Sequence, residues 1–151
     1  MYVGENERNS RTEWVVIPCG AGKTDYPAPA AELYTGSMFT LALAAARNLV
    51  DDDHILVLSA RHGLVSLDTV LAPYDVKMGD GLAVDPIDLT DDMLDLGWHL
   101  ADVDVYHLLP KTYAKTFEDA CRDLYVFPQE VYEATAGIGE HRAICAQVRD
   151  Q

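Results

Sequence analysis

The stretch Ile55-Leu56-Val57-Leu58-Ser59-Ala60-Arg61-His62-Gly63-Leu64-Val65 decides the fold. Its short apolar opening suits a strand buried on both faces. The run ends in a small hydroxyl residue, after which a guanidinium, an imidazole and a glycine arrive together. Open α/β sheets hold their ligands where strands end and the backbone turns, so this junction marks a candidate pocket rim. Upstream, Trp14-Val15-Val16-Ile17 is a second apolar run and ends in Pro18-Cys19-Gly20-Ala21-Gly22-Lys23. Two strands thus deliver polar groups to one predicted edge.

Working outward, strands are expected at 14–18, 54–59, 103–109 and 125–127. Glycines and prolines make 19–33 irregular. An alanine-rich helix follows over 37–49, capped by Thr35 or Ser37. A non-regular segment spans 60–85, long enough to be functional. Thr90 caps a helix over 90–102, and helices are also expected over 111–124 and from Gly139 through Val148. The alternation predicts an α/β fold: a single domain with a mostly parallel sheet of about four to five strands and helices on both faces. Residues 1–13 read as a flexible N-terminal arm and 14–151 as the domain.

Composition narrows the function. The chain has 151 residues and a net charge of −14, from 25 acids against 11 bases. A broad grip on DNA needs many lysine and arginine contacts to phosphate, so such binding is not expected and any nucleic-acid contact would have to be local. A pocket rim drawn from Lys23, Arg61, Lys77 and Lys111 would be such a place. Cys19, Cys121 and Cys145 form no CxxC pair, which argues for a reduced, cytoplasmic chain without a disulfide framework or zinc knuckle. No His/Cys/Asp cluster has metal spacing, so neither metal nor cofactor is expected. The apolar run 38–50 is too short to span a bilayer. The oligomeric state is not legible.

Several residues carry candidate chemistry. Lys23 sits in a glycine-interrupted loop after a strand, where it can contact a phosphate or serve as an amine nucleophile. The match to a P-loop fails, because Ile17 stands where the first glycine of GxxxxGK belongs. Thr35 and Ser37 lie at a predicted helix N-terminus, a place for an anion or simply for a cap. His62 suits general acid or base work near neutrality. Asp75 offers a carboxylate to His62, Lys23 or a substrate hydroxyl. Lys111 and Tyr113 follow the third strand, and Gly137-Ile138-Gly139 precedes the last helix.

Ser59-Ala60-Arg61-His62-Gly63-Leu64-Val65, followed by Pro73-Tyr74-Asp75-Val76-Lys77-Met78-Gly79, resembles the YaaA superfamily. Its members carry a strand ending in Ser-Gly/Ala-x-Tyr-Gly-Leu/Val, then a Pro-Tyr motif and often Met-Gly. Cys19 to Lys23, Ala30 to Phe39 and Ser59 to Leu64 resemble more closely a short uncharacterised branch found in bacteria, archaea and phages. His62 replaces a common tyrosine and Gly20 a frequent serine. A fainter likeness, through Cys19, Lys23, Tyr34 and Ser37, is to the central domain of archaeosine synthase.

These resemblances imply stress response, DNA protection and base modification. They lead to the expectation of a nucleobase- or nucleotide-directed enzyme, acting by N-glycosidic cleavage or base modification. Its ligand would be a nucleotide or nucleobase in a pocket, or a flipped base of nucleic acid. Lys23, Asp75 and His62 would be catalytic. Cys19, Tyr34, Thr35, Ser37, Ser59, Arg61, Gly63, Tyr74, Lys111 and Tyr113 would bind substrate, with Tyr74 or Tyr34 stacked on the base. The rival is a non-catalytic nucleotide- or partner-binding protein.

Overall fold

The central strand, β1 (Thr12–Pro18), holds Val15, Val16 and Ile17 without exposure. Such a β-branched run belongs where both faces and both edges of a strand are covered. It pairs in parallel with β3 (Ile55–Ser59) on one side and β6 (Val103–His107) on the other. The computed structural model describes residues 12–100, 102–131 and 148–149. Short β7 (Gln129–Glu130) extends the sheet in parallel beyond β6, and β4 (Gly63–Ser66) closes the other edge antiparallel to β3. The order β4-β3-β1-β6-β7 makes a mostly parallel five-stranded sheet in a single α/β domain.

Helix α2 (Ser37–Leu49) buries Phe39, Ala42, Leu43, Ala45 and Ala46, a stripe at helical spacing, and packs on β1. Helices α3 (Pro86–Asp95) and α4 (Lys111–Asp123) pack on each other, and α3 also covers β4. The chain moves from β1 to β3 in one direction and from β3 to β6 and β7 in the other. Right-handed crossovers therefore put α2 on one face and α3 with α4 on the opposite face.

Several expectations need correction. β1 starts at Thr12, inside the supposed arm; residues 1–11 lie outside the described residues. The stretch 19–33 contains β2 (Ala28–Pro29) and the short helix α1 (Ala30–Leu33). The segment 60–85 contains β4 and also β5 (Val70–Leu71), which pairs with β2. Helix α3 begins four residues earlier than expected, because Asp85 and Asp88 form a reciprocal capping box around Pro86. The expected cap Thr90 instead turns its hydroxyl back to the Pro86 carbonyl at 2.9 Å. Tyr125, with φ of 57°, lies in a left-handed turn after α4, and the strand expected at 125–127 comes later, as β7. Gly137, Gly139 and most of the expected last helix lie outside the described residues.

Candidate functional site at the carboxyl edge of the sheet

Parallel pairing brings the carboxyl ends of β1, β3 and β6 to one edge. Because β3 and β6 leave β1 on opposite sides, their connections part above β1 and leave a crevice, the position at which α/β sheets bind ligands. A cavity of about 310 Å³ opens there. Its walls are the loop after β1, with Cys19 and Lys23, the segment 75–78, and the start of α4, with Pro110 and Tyr113.

The Lys23 loop is fixed from below. An antiparallel bridge joins Lys23 to Tyr34, with Thr24 N–H donating to the Leu33 carbonyl and Thr35 N–H to that of Gly22, both at 2.9 Å. Gly22 permits this approach, since a Cβ there would stand 3.1 Å from the Thr35 hydroxyl. Lys23 Nζ sits 4.4 Å from the Tyr74 ring centroid and 5.8 Å from that of Tyr34, and donates to the Ala21 carbonyl at 3.3 Å. The two ring faces hold the ammonium by cation–π attraction. Among the described residues no carboxylate forms an ion pair with it.

A directed hydroxyl chain holds the rings themselves. Buried Ser59 Oγ accepts from the amides of Arg61 (3.3 Å) and His62 (3.0 Å). Both lone pairs are thus used, and its proton must go to Tyr74 Oη at 2.8 Å. Tyr74 in turn donates to Tyr34 Oη at 2.5 Å. Burial pushes the Tyr34 phenol up to about 12 and raises Tyr74 further, so both rings stay neutral. On the far wall, Cys19 Sγ and Tyr113 Oη lie 3.2 Å apart, and the Tyr113 phenol is likewise raised by burial.

Most expected site residues therefore converge, with changed roles. Cys19, Lys23, Asp75 and Tyr113 line the cavity, while Ser59, Tyr74 and Tyr34 form the scaffold behind Lys23. Tyr34 is 3% exposed and packs on Phe39, so it has no free face on which to stack a base. His62 rests edge-on against Tyr74 at 5.3 Å; desolvation, then the neighbouring Arg61 charge, lowers its pKa. Arg61 contributes its backbone amide and leaves its side chain exposed.

Four further residues belong neither to the lining nor to the scaffold behind Lys23. Gly63, at φ +82°, serves the β3–β4 hairpin and lies against Asp92. Thr35 and Ser37 are exposed, and α2 is capped by Gly36 without a side-chain bond. Lys111 is exposed at the first position of α4, although its neighbours Pro110 and Thr112 line the cavity. Sequence reasoning missed Val76, Met78 and Thr112 as lining residues. The Pro73-to-Gly79 motif was visible, but an apolar residue in an irregular segment gives no sign of which way it faces.

One trio, His107, Glu118 and Glu130, brings its ligand atoms within 4.8 Å of one another. Its geometry suits a proton better than a metal ion. The Leu109 amide donates to His107 Nδ1 at 3.3 Å, which leaves the proton on Nε2, and Nε2 faces Glu118 at 3.0 Å. A metal on Nε2 would require a proton on Nδ1, against that amide. Desolvation lowers the buried imidazole's pKa, consistent with a neutral ring.

Residues 14–92 match the family of unknown function DUF6884, and the chain belongs to that family. The matched segment includes the loop after β1, the Ser59 turn and segment 75–78, but ends before α4. No curated protein sequence matches the chain.

Proposed function

We propose that this DUF6884 protein binds a nucleotide or nucleobase in the cavity between β1 and β6 and acts on it enzymatically, by N-glycosidic cleavage or base modification. The observation that carries this reading is the pairing of chemistry within one crevice. An ammonium with no carboxylate partner among the described residues, Lys23, and a carboxylate, Asp75, line the same cavity, at the position where α/β folds hold ligands. Cleavage of a base from its sugar builds positive charge on the sugar carbon, which a carboxylate stabilises or attacks. Asp75 fills that role, and Lys23 serves as phosphate ligand or nucleophile.

Tyr113, Met78 and Val76 supply a surface for a flat base. His62, away from the lining, positions Tyr74 and through it Lys23. The resemblance of 59–65 and 73–79 to YaaA proteins supports the choice of a nucleobase-containing substrate. No helix among the described residues is long and apolar enough to cross a membrane.

The test is an incubation of wild type, Lys23→Ala and Asp75→Asn with nucleotides and with modified and unmodified DNA, assayed for free base, altered base and abasic sites. Groups acting on charge that develops in the transition state lower kcat rather than raise KM. Each variant is expected to slow turnover by about a hundredfold or more. Ligand binding without product from any substrate would favour a non-catalytic nucleotide binder. Unchanged rates in both variants would remove these residues from the mechanism.

A further inference from the structure

We infer that the cavity takes a free 5′-mononucleotide rather than a nucleotide embedded in DNA or RNA. This rests on the nucleotide reading of the same cavity and narrows it. The first argument is size. About 310 Å³ lies at the small end of ligand pockets and suits one nucleotide unit.

The second argument is the division of the lining. Lys23 and Lys77 bring two positive charges, with Asp75 as the carboxylate opposing them, while Val76, Met78 and Pro110 form an apolar slot. Lys77, like Lys23, has no ion-pair partner among the described residues. The first turn of α4 adds to the positive side: Pro110 gives no side-chain cap and no acid stands in that turn. Two ammonium groups and a positive helix pole favour a phosphate monoester dianion over the single charge of a diester. The apolar slot beside them takes the base.

The third argument is what a polymer would meet on leaving the cavity. Both lysine-bearing wall segments run on into exposed carboxylates, Asp25 after Lys23 and Asp80 after Lys77. The whole chain carries −14. A diester backbone extended past either lysine would meet these carboxylates in place of the serial cation contacts on which polymer binding depends.

Calorimetry on the full chain tests this with ribo- and deoxyribonucleoside 5′-monophosphates, the parent nucleosides, inorganic phosphate, and single-stranded oligonucleotides of matching base. At least one monophosphate is expected to bind about tenfold or more tighter than its nucleoside, inorganic phosphate and the oligonucleotide. Lys77→Ala, on an exposed side chain that leaves folding intact, should weaken the monophosphate about tenfold and spare the nucleoside. An oligonucleotide that binds as tightly as the monophosphate would overturn the inference while leaving the nucleotide reading in place. Equal affinity for nucleoside and monophosphate, or for inorganic phosphate and monophosphate, would also overturn it. Silence from nucleosides, monophosphates and oligonucleotides alike would overturn both.

Discussion

Replacing Gly63 by alanine should damage the fold and spare the ligand site. Gly63 has φ of +82°, a left-handed conformation that disfavours a side chain by about 1–2 kcal/mol. A Cβ there would lie 2.3 Å from Asp92 Oδ2, well inside contact distance. The carboxylate would have to leave, and with it the hydrogen bond it accepts from the Leu64 amide at 3.0 Å. A bond to a charged group contributes about 1.5–3 kcal/mol. Together these predict a loss of about 2.5–5 kcal/mol, or roughly 5–20 °C in Tm for a domain of this size.

Denaturant and thermal melts of Gly63→Ala measure the total. The same substitution in an Asp92→Ala background isolates the backbone part, which should fall to about 1–2 kcal/mol. A loss below about 1 kcal/mol in the wild-type background would refute the reasoning. So would an undiminished loss in the Asp92→Ala background. Nucleotide affinity of the folded variant should match wild type, since Gly63 is absent from the cavity walls.

Ser59→Ala should destabilise by about 2–4 kcal/mol, because it leaves the Arg61 and His62 amides without their acceptor and Tyr74 without its donor; a neutral result in denaturant melts would show the hydroxyl chain to be unimportant. Asp92→Asn should raise Tm at neutral pH. Burial, partly offset by the Leu64 amide and reinforced by Asp95, Asp88 and Asp91, raises the Asp92 pKa above its unfolded value. The charged form therefore penalises folding above the raised pKa, and the penalty fades as pH falls toward the ordinary carboxylate range. The variant's advantage should shrink over that same fall, and an advantage independent of pH would contradict the assignment. Tyr34→Phe should leave the direct lining intact and yet weaken nucleotide binding severalfold, because the Tyr74 proton loses its acceptor behind Lys23; unchanged affinity would separate the hydroxyl chain from the site.

The parts of this molecule that were readable beforehand share one property: their signal is local. Val15 to Ile17 and Ile55 to Leu58 announce buried strands by composition, and the Phe39-to-Ala46 stripe announces a helix by spacing. Cys19, Lys23 and Tyr113 were legible as site candidates because each follows directly on a parallel strand or its helix. What failed depends on contacts distant in sequence. Gly63-Leu64-Val65 looked like a ligand turn because its partner Asp92, which explains the glycine, lies 28 residues from Leu64. Tyr34 looked like a stacking platform until Tyr74, 40 residues away, claimed its hydroxyl. The α3 boundary is a different case. Asp85-Pro86-Ile87-Asp88 spells a capping box, but Thr90-Asp91-Asp92 offers a second plausible start a turn later.

Amide chemical shifts during titration with a 5′-mononucleotide test the central claim most directly, because they locate the ligand without presuming a reaction. If the crevice between β1 and β6 is the site, the perturbed amides should cluster at 19–23, 76–78 and 111–113, with little change at Thr35 and Ser37. Perturbation centred on Thr35 and Ser37 at the start of α2, or a titration that moves no amide of the three wall segments, would contradict the account.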